Sequence, residues 1–179
     1  MFSLDFGFFG GLFEHKGVRL ILEATKHAVS ETGFRIVFFV PPHHLEHIAT
    51  LNLGGSECVV VNTAVLEYED YLTQMGSVSA VLCCYDKVFY RDQMSGIVTE
   101  AAALGVPIIV TRGTALHRFL LTYSPGADVP IEPDPMQLAS VLALPRAFWE
   151  EKRKSALIGA SLVQQLKSGR RFLSIAFGY

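Results

Sequence analysis

Three cysteines in 179 residues, two of them adjacent, are too few and too irregular for a disulfide framework. Cys58, Cys83 and Cys84 lie in strand-like surroundings and read as reduced core residues of a cytosolic protein. Charge is scarce: 18% of residues are charged and the net charge is −2, so no broad basic field exists to attract nucleic acid. No apolar run approaches the roughly 20 residues of a membrane span. The longest candidate, Ile36 to Pro42, ends in a double proline. The N-terminus lacks a basic region, and its apolar stretch Phe6 to Phe13 is broken by Gly7, Gly10 and Gly11, so it reads poorly as a signal peptide. Repeats, low-complexity segments and internal linkers are missing. So are the common phosphate motifs: there is no P-loop, and Gly7, Gly10 and Gly11 do not fit G-x-G-x-x-G. Gly10-Gly11 also occupies the strand end where a receiver domain needs acids.

What is present is a hydrophobic chain. Half its residues are hydrophobic and its mean hydropathy is +0.34. A sheet buried on both faces accounts for this, and so does an apolar face meant for a partner. Apolar runs of strand length fall at Phe6–Gly10, Phe34–Val40, Cys58–Val61, Val78–Cys84 and Val106–Thr111, with a short one at Asp128–Ile131. Segments of helical period fall between them: Val18 to Val29, His43–Leu51, Glu67–Met75, Ser95–Leu104 and Thr114–Leu121, then Pro135–Leu142 and Ala147–Leu166. The cluster from Glu150 to Lys154 reads as a solvated face. This alternation predicts an α/β doubly wound parallel sheet, Rossmann-like, with helices on both faces and a helical C-terminal extension. Residues 1–168 form the domain and 169–179 a tail.

Ligands of such sheets bind at the strand carboxyl ends. That rule selects the loops Gly10–Gly17, Tyr85–Ser95 and Thr111–Thr114. Ser95, Gly96 and Ile97 open a helix directly after a strand, where free amides and a partial positive charge suit phosphate. A capped helix start is the alternative. Lys16 precedes Gly17 and the first helix, within reach of a diphosphate or merely solvated. Asp92 and Glu100 bracket the same helix start. Carboxylates accept several hydrogen bonds and so hold sugar or ribose hydroxyls. Glu100 stands among apolar neighbours, where an acid needs either a ligand or a structural partner. His43 and His47, one turn apart, are a candidate metal pair, but Glu46 is the only local acid and a polar helix face is the expected role. His15 and His117 lie in or beside the ligand-side loops, where either could contact phosphate.

The segment Phe9 to Gly17, and Asp92 through Val110 with Glu100-Ala101-Ala102-Ala103-Leu104-Gly105-Val106-Pro107, carry a family resemblance. From about Phe6 to Leu142 the chain resembles the C-terminal, donor-binding domain of the group-1 family of retaining glycosyltransferases with the GT-B fold. The resemblance implies a transferase that moves a sugar from a nucleoside-diphosphate sugar to an acceptor in polysaccharide or glycoconjugate synthesis, with no cofactor and no metal. It assigns Lys16 and Asp92 as catalytic, and Gly10, Gly11, Lys16, Asp92, Ser95, Gly96, Ile97 and Glu100 as donor-binding. Asp92 and Glu100 take the places of the family's two glutamates, contacting donor sugar and ribose respectively. Gly11 stands where the family has an arginine, and Pro41-Pro42-His43-His44 replaces a glycine-bearing loop. The resemblance also implies that an N-terminal acceptor-binding domain, in the same or another chain, completes the enzyme. Peripheral membrane association of the complete enzyme fits the same group. A degenerate, non-catalytic assembly module and another GT-B-like enzyme, such as a sugar-nucleotide epimerase, remain the alternatives.

Overall fold

The computed structural model describes residues 4–28, 33–51 and 57–167. The expected tail at 169–179 lies outside them. Six strands form one parallel sheet: β1 (Leu4–Phe9), β2 (Phe34–Phe39), β3 (Val59–Asn62), β4 (Ala80–Cys83), β5 (Ile108–Thr111) and β6 (Asp128–Ile131), in the order β3-β2-β1-β4-β5-β6. The register runs from Leu4 opposite Phe34 to Phe9 opposite Phe39, and Phe6 faces Ala80 on the other side. The chain order reverses between β1 and β4, which makes that gap the switch point where such sheets open a crevice.

Seven helices cover the sheet among the described residues: α1 (Val18–His27), α2 (Leu45–Thr50), α3 (Tyr68–Ser77), α4 (Gly96–Ala103), α5 (Ala115–Tyr123), α6 (Pro135–Leu142) and α7 (Arg146–Lys167). The segment expected as a helix over 43–51 splits into a 3-10 turn, Pro42–His44, and α2. Side chains alternate across the sheet. Phe6, Phe8, Ile36, Phe38 and Leu82 enter one core with Ile21 and Trp149, while Phe9, Val81, Cys83, Ile108 and Val110 enter the other with Val98 and Leu116. Both faces are therefore covered, which is why the strands read as unbroken apolar runs. Cys83 and Cys84 are buried, Cys58 is half-buried, and none is in a disulfide. No described helix is long and apolar enough to cross a membrane.

The Glu150–Lys154 cluster is only partly a solvated face. Glu150, Glu151 and Lys154 are exposed, but Lys152 and Arg153 turn inward. Lys152 Nζ donates to the carbonyl of Asp128 at 2.9 Å. Arg153 donates to the carbonyls of Gly76, Val78 and Gly105, around the C-terminal ends of α3 and α4. Helix ends leave carbonyls unpaired and carry partial negative charge, so long cations with apolar stems suit them. Arg153→Met should therefore cost about 2–4 kcal/mol, because it leaves buried carbonyls without donors. A thermal melt should show a fall of roughly 5–15 °C for a domain of this size.

Candidate functional site

The site is assembled from the turn after β1. Gly10 adopts φ +96° and donates its N–H to the Phe39 carbonyl, which ends the strand. A 3-10 turn, Glu14–Lys16, follows, and Gly17 closes it at φ +74° with its N–H on the Glu14 carbonyl. This doubling back carries Lys16 over Gly10: Nζ lies 3.1 Å from the point a Gly10 Cβ would occupy. Lys16 is half-buried, 5.8 Å from the ring centroids of Phe13 and Tyr85. Burial pushes its pKa below the ordinary lysine value, partly opposed by the nearby Cys83 thiol. The loop is clamped to the end of β4. The Asp86 N–H donates to the His15 carbonyl at 2.8 Å, and a Cβ on Gly17 would stand 2.0 Å from the Cys84 carbonyl oxygen.

The second component is the start of α4. Ser95 sits at the N-cap in an extended conformation, but its side chain makes no capping bond. The first-turn amides of α4 are thus left for a ligand, at the end of the helix that favours anions. Ile97 Cδ1 lies 3.5 Å from the same missing Cβ on Gly10. Gly10, Lys16 and the uncapped helix start therefore meet at the switch point, an arrangement suited to a phosphate group.

Glu100, one turn further along α4, is half-buried, and its Oε2 accepts from the Tyr71 hydroxyl at 2.9 Å. Burial, then the Glu100 carboxylate, push the Tyr71 pKa well up, so the phenol stays protonated as donor. Among the described residues no cation pairs with Glu100, so its structural partner is a hydroxyl rather than a charge. A mainly apolar cleft of about 360 Å³ runs from Gly10 past Pro41, Pro42 and Leu66 to Tyr71. That is within the range of small-molecule sites.

The other expected residues are placed differently. Asp92 is exposed on the loop before α4, with Arg91 Nε at 2.8 Å and Arg118 Nη2 at 3.7 Å. Gly11 is buried, and a Cβ there would lie 2.5 Å from Phe13 Cε2 and 2.8 Å from His44 Nε2. A side chain at this position would have to displace one or both rings. His43 and His47 are exposed, but His44 between them is buried, so this segment is not a uniform polar face. No cluster arranged to hold a metal ion occurs among the described residues. His15 stacks between Phe13 and Phe89, with centroids at 5.4 and 4.1 Å. His117 is buried beside Asp128 at 3.5 Å, and its Nδ1 accepts from the Gly113 N–H, so it fastens the loop after β5 rather than facing the phosphate position. Tyr71, Tyr85 and His44 were not among the expected site residues. His44 stood out only as one of a histidine cluster with His43 and His47, and nothing in the local sequence marks Tyr71 or Tyr85, because each is set by a partner from a distant element or by burial.

No protein-family model and no curated protein sequence matches the chain. Solved structures do. The C-terminal domain of LpcC, a glycosyl transferase group 1 family protein from Francisella tularensis, aligns with a TM-score of 0.70 at 17% identity, over 93% of this chain and 87% of that one. HepE of Anabaena, solved in complex with UDP-glucose, aligns with a TM-score of 0.69 at 13% identity, over 91% of this chain and 44% of that one. AviGT4, a glycosyltransferase involved in avilamycin A biosynthesis, aligns with a TM-score of 0.61 at 22% identity, over 99% of this chain and 52% of that one. The chain thus spans about half of the two longer proteins and most of the LpcC domain. In fold, the chain is similar to the C-terminal domain of a glycosyl transferase group 1 family protein.

Proposed function

We propose that this chain is the donor-binding half of a glycosyltransferase that takes a nucleoside-diphosphate sugar. The observation that carries the reading is the meeting of Gly10, Lys16 and the uncapped start of α4 at the carboxyl end of β1 and β4. In this reading the diphosphate lies against the amides of Ser95, Gly96 and Ile97, with Lys16 alongside. The nucleoside enters the cleft between Gly10 and Tyr71, and Glu100 accepts hydrogen bonds from the ribose hydroxyls. Asp92 meets the donor sugar.

During transfer the bond from the anomeric carbon to the diphosphate oxygen breaks as the acceptor oxygen bonds to that carbon, and the acceptor's proton passes to the departing phosphate oxygen. The departing diphosphate gains negative charge. Lys16 and the helix amides are already aimed at it and stabilise it without reorganisation. Turnover also needs an acceptor side and a water-poor cleft, which a second domain in the same or another chain supplies. A cytoplasmic location belongs to the same reading, since Cys83 and Cys84 persist as thiols in a reducing compartment. Polysaccharide or glycoconjugate synthesis and peripheral membrane association of the complete enzyme extend it.

A second reading, a degenerate assembly module, draws on two observations: Gly11 carries no basic side chain and is packed by Phe13 and His44, and Asp92 is held by two arginines. Calorimetry with UDP, ADP and GDP separates the two. Donor binding predicts saturable heat with at least one of them. An assembly module predicts none at millimolar ligand.

Glu100→Gln sharpens the test. The amide oxygen of glutamine still accepts from the Tyr71 hydroxyl, so apo stability should move by less than about 1 kcal/mol. Losing a charged acceptor for the ribose should weaken nucleotide binding by about 1.5–3 kcal/mol, roughly ten- to a hundredfold. Melts and titrations of both proteins check this. A large stability loss with unchanged affinity would assign Glu100 a purely structural role.

A further inference from the structure

Two consecutive glycines follow β1, and a different basic side chain stands over each. Lys16 Nζ is 3.1 Å from the Cβ point of Gly10, and His44 Nε2 is 2.8 Å from that of Gly11. His44 is 5% exposed, and its Nδ1 is buried with no hydrogen-bond partner among the described residues. It is Nε2, not this orphaned Nδ1, that is turned to Gly11. The Gly11 amide, close by, donates to no backbone carbonyl among the described residues.

The surroundings of His44 are cationic or neutral. Lys16 comes from the first loop, and His43 and His47 flank it on its own segment with ring centroids at 4.6 and 5.3 Å. The neighbouring acids Glu14 and Glu46 are exposed, and Glu14 faces Arg19 at 3.7 Å. Burial first, then His43, His47 and Lys16, lower the pKa of His44, so the ring is neutral at neutral pH in the empty site. An anion over Gly11 reverses that balance, because an opposite charge within about 4–6 Å favours the charged form.

We propose that His44 is a second phosphate-binding side chain of the donor site, paired with Lys16 across Gly10-Gly11, and that it takes up a proton from solvent as the diphosphate binds. The proposal rests on the donor-binding reading above. Nε2 is the nitrogen turned to Gly11, and it donates to a phosphate oxygen; no covalent bond of the ligand changes. Phe13, whose ring lies edge-on to His44 at 5.2 Å and is 47% exposed, turns outward to admit the phosphate. The His44 contact supplies a basic group that Gly11 itself lacks.

The test is titration of UDP, with ADP and GDP alongside, into the wild type, His44→Gln, His43→Gln and His47→Gln at pH 6 and pH 8. Each titration is run in two buffers of different ionisation enthalpy, so that proton uptake is counted. The terminal phosphate of UDP titrates near pH 6 itself, but that contribution cancels between wild type and variant. His44→Gln should bind UDP about tenfold more weakly than the wild type at pH 6, with the gap narrowing at pH 8 and proton uptake reduced. His43→Gln and His47→Gln should lose far less UDP affinity than His44→Gln at both pH values, because neither ring is turned to Gly11. Nitrogen-15 shifts of the wild-type His44 ring should change from neutral to imidazolium on UDP saturation at pH 7, a readout independent of how any variant folds. Equal UDP affinity of His44→Gln and wild type at both pH values, or a His44 ring that stays neutral at saturation, overturns the proposal alone. Failure of the wild type to bind any of the three nucleotides overturns the donor-binding reading and this proposal with it.

Discussion

Lys16→Met should weaken nucleoside-diphosphate binding by about 2–4 kcal/mol, roughly 30- to 1,000-fold, because it removes a partly desolvated cation from beside the phosphate position. Apo stability should move little, and upward if at all. Burial lowers the pKa of Lys16 in the folded protein, so the unfolded chain holds this proton more tightly. The charged lysine is therefore a stability cost at neutral pH, relieved as pH rises from its lowered folded value toward the ordinary lysine value. Methionine keeps the stem and drops the charge. Paired melts and titrations read both effects. A variant that melts lower yet binds as well as the wild type would make Lys16 a packing residue.

Gly17→Ala should be the most damaging single methyl in the site. Gly17 holds φ +74°, and its Cβ would stand 2.0 Å from a backbone carbonyl oxygen at Cys84, which cannot swing away as a side chain would. Strain at a positive φ adds to the overlap, for a loss of about 3 kcal/mol or more. The melting temperature should fall by roughly 6–12 °C. Gly33→Ala is the control: Gly33 also has a positive φ, +56°, but nothing lies within 4 Å of its Cβ point, so its cost should be near 1 kcal/mol. Equal losses at both positions would mean that the contact between the first loop and the end of β4 is not tight.

The same two loops show what a sequence can carry. Apolar runs such as Phe34–Val40 and Val106–Thr111 are legible because a sheet covered on both faces leaves no polar alternation, and Asp128–Ile131 and Pro135–Leu142 match their elements residue for residue. That Lys16, Gly10 and the start of α4 come together was legible because the strand-to-helix turns carry them to one end of the sheet. Partners from distant elements were not. Tyr71 reaches Glu100 across 29 positions, and His44 packs on Gly11 from the loop after β2. Arg153 was read as solvated because a charge run declares composition, whereas the direction of each side chain depends on which carbonyls the neighbouring helices leave unpaired. Gly11 reads in sequence as an absent arginine. In three dimensions it is a glycine against which Phe13 and His44 pack.

Amide chemical-shift mapping of the chain with UDP, ADP and GDP tests most directly whether a nucleoside diphosphate binds where β1 and β4 diverge. Donor binding predicts saturable shifts concentrated at Gly10, Gly11, Lys16, Gly96 and Ile97, with a second group at Leu66, Tyr71 and Glu100, and loss of the first group in Lys16→Met. Shifts confined to other surfaces, or none at millimolar ligand, would contradict it.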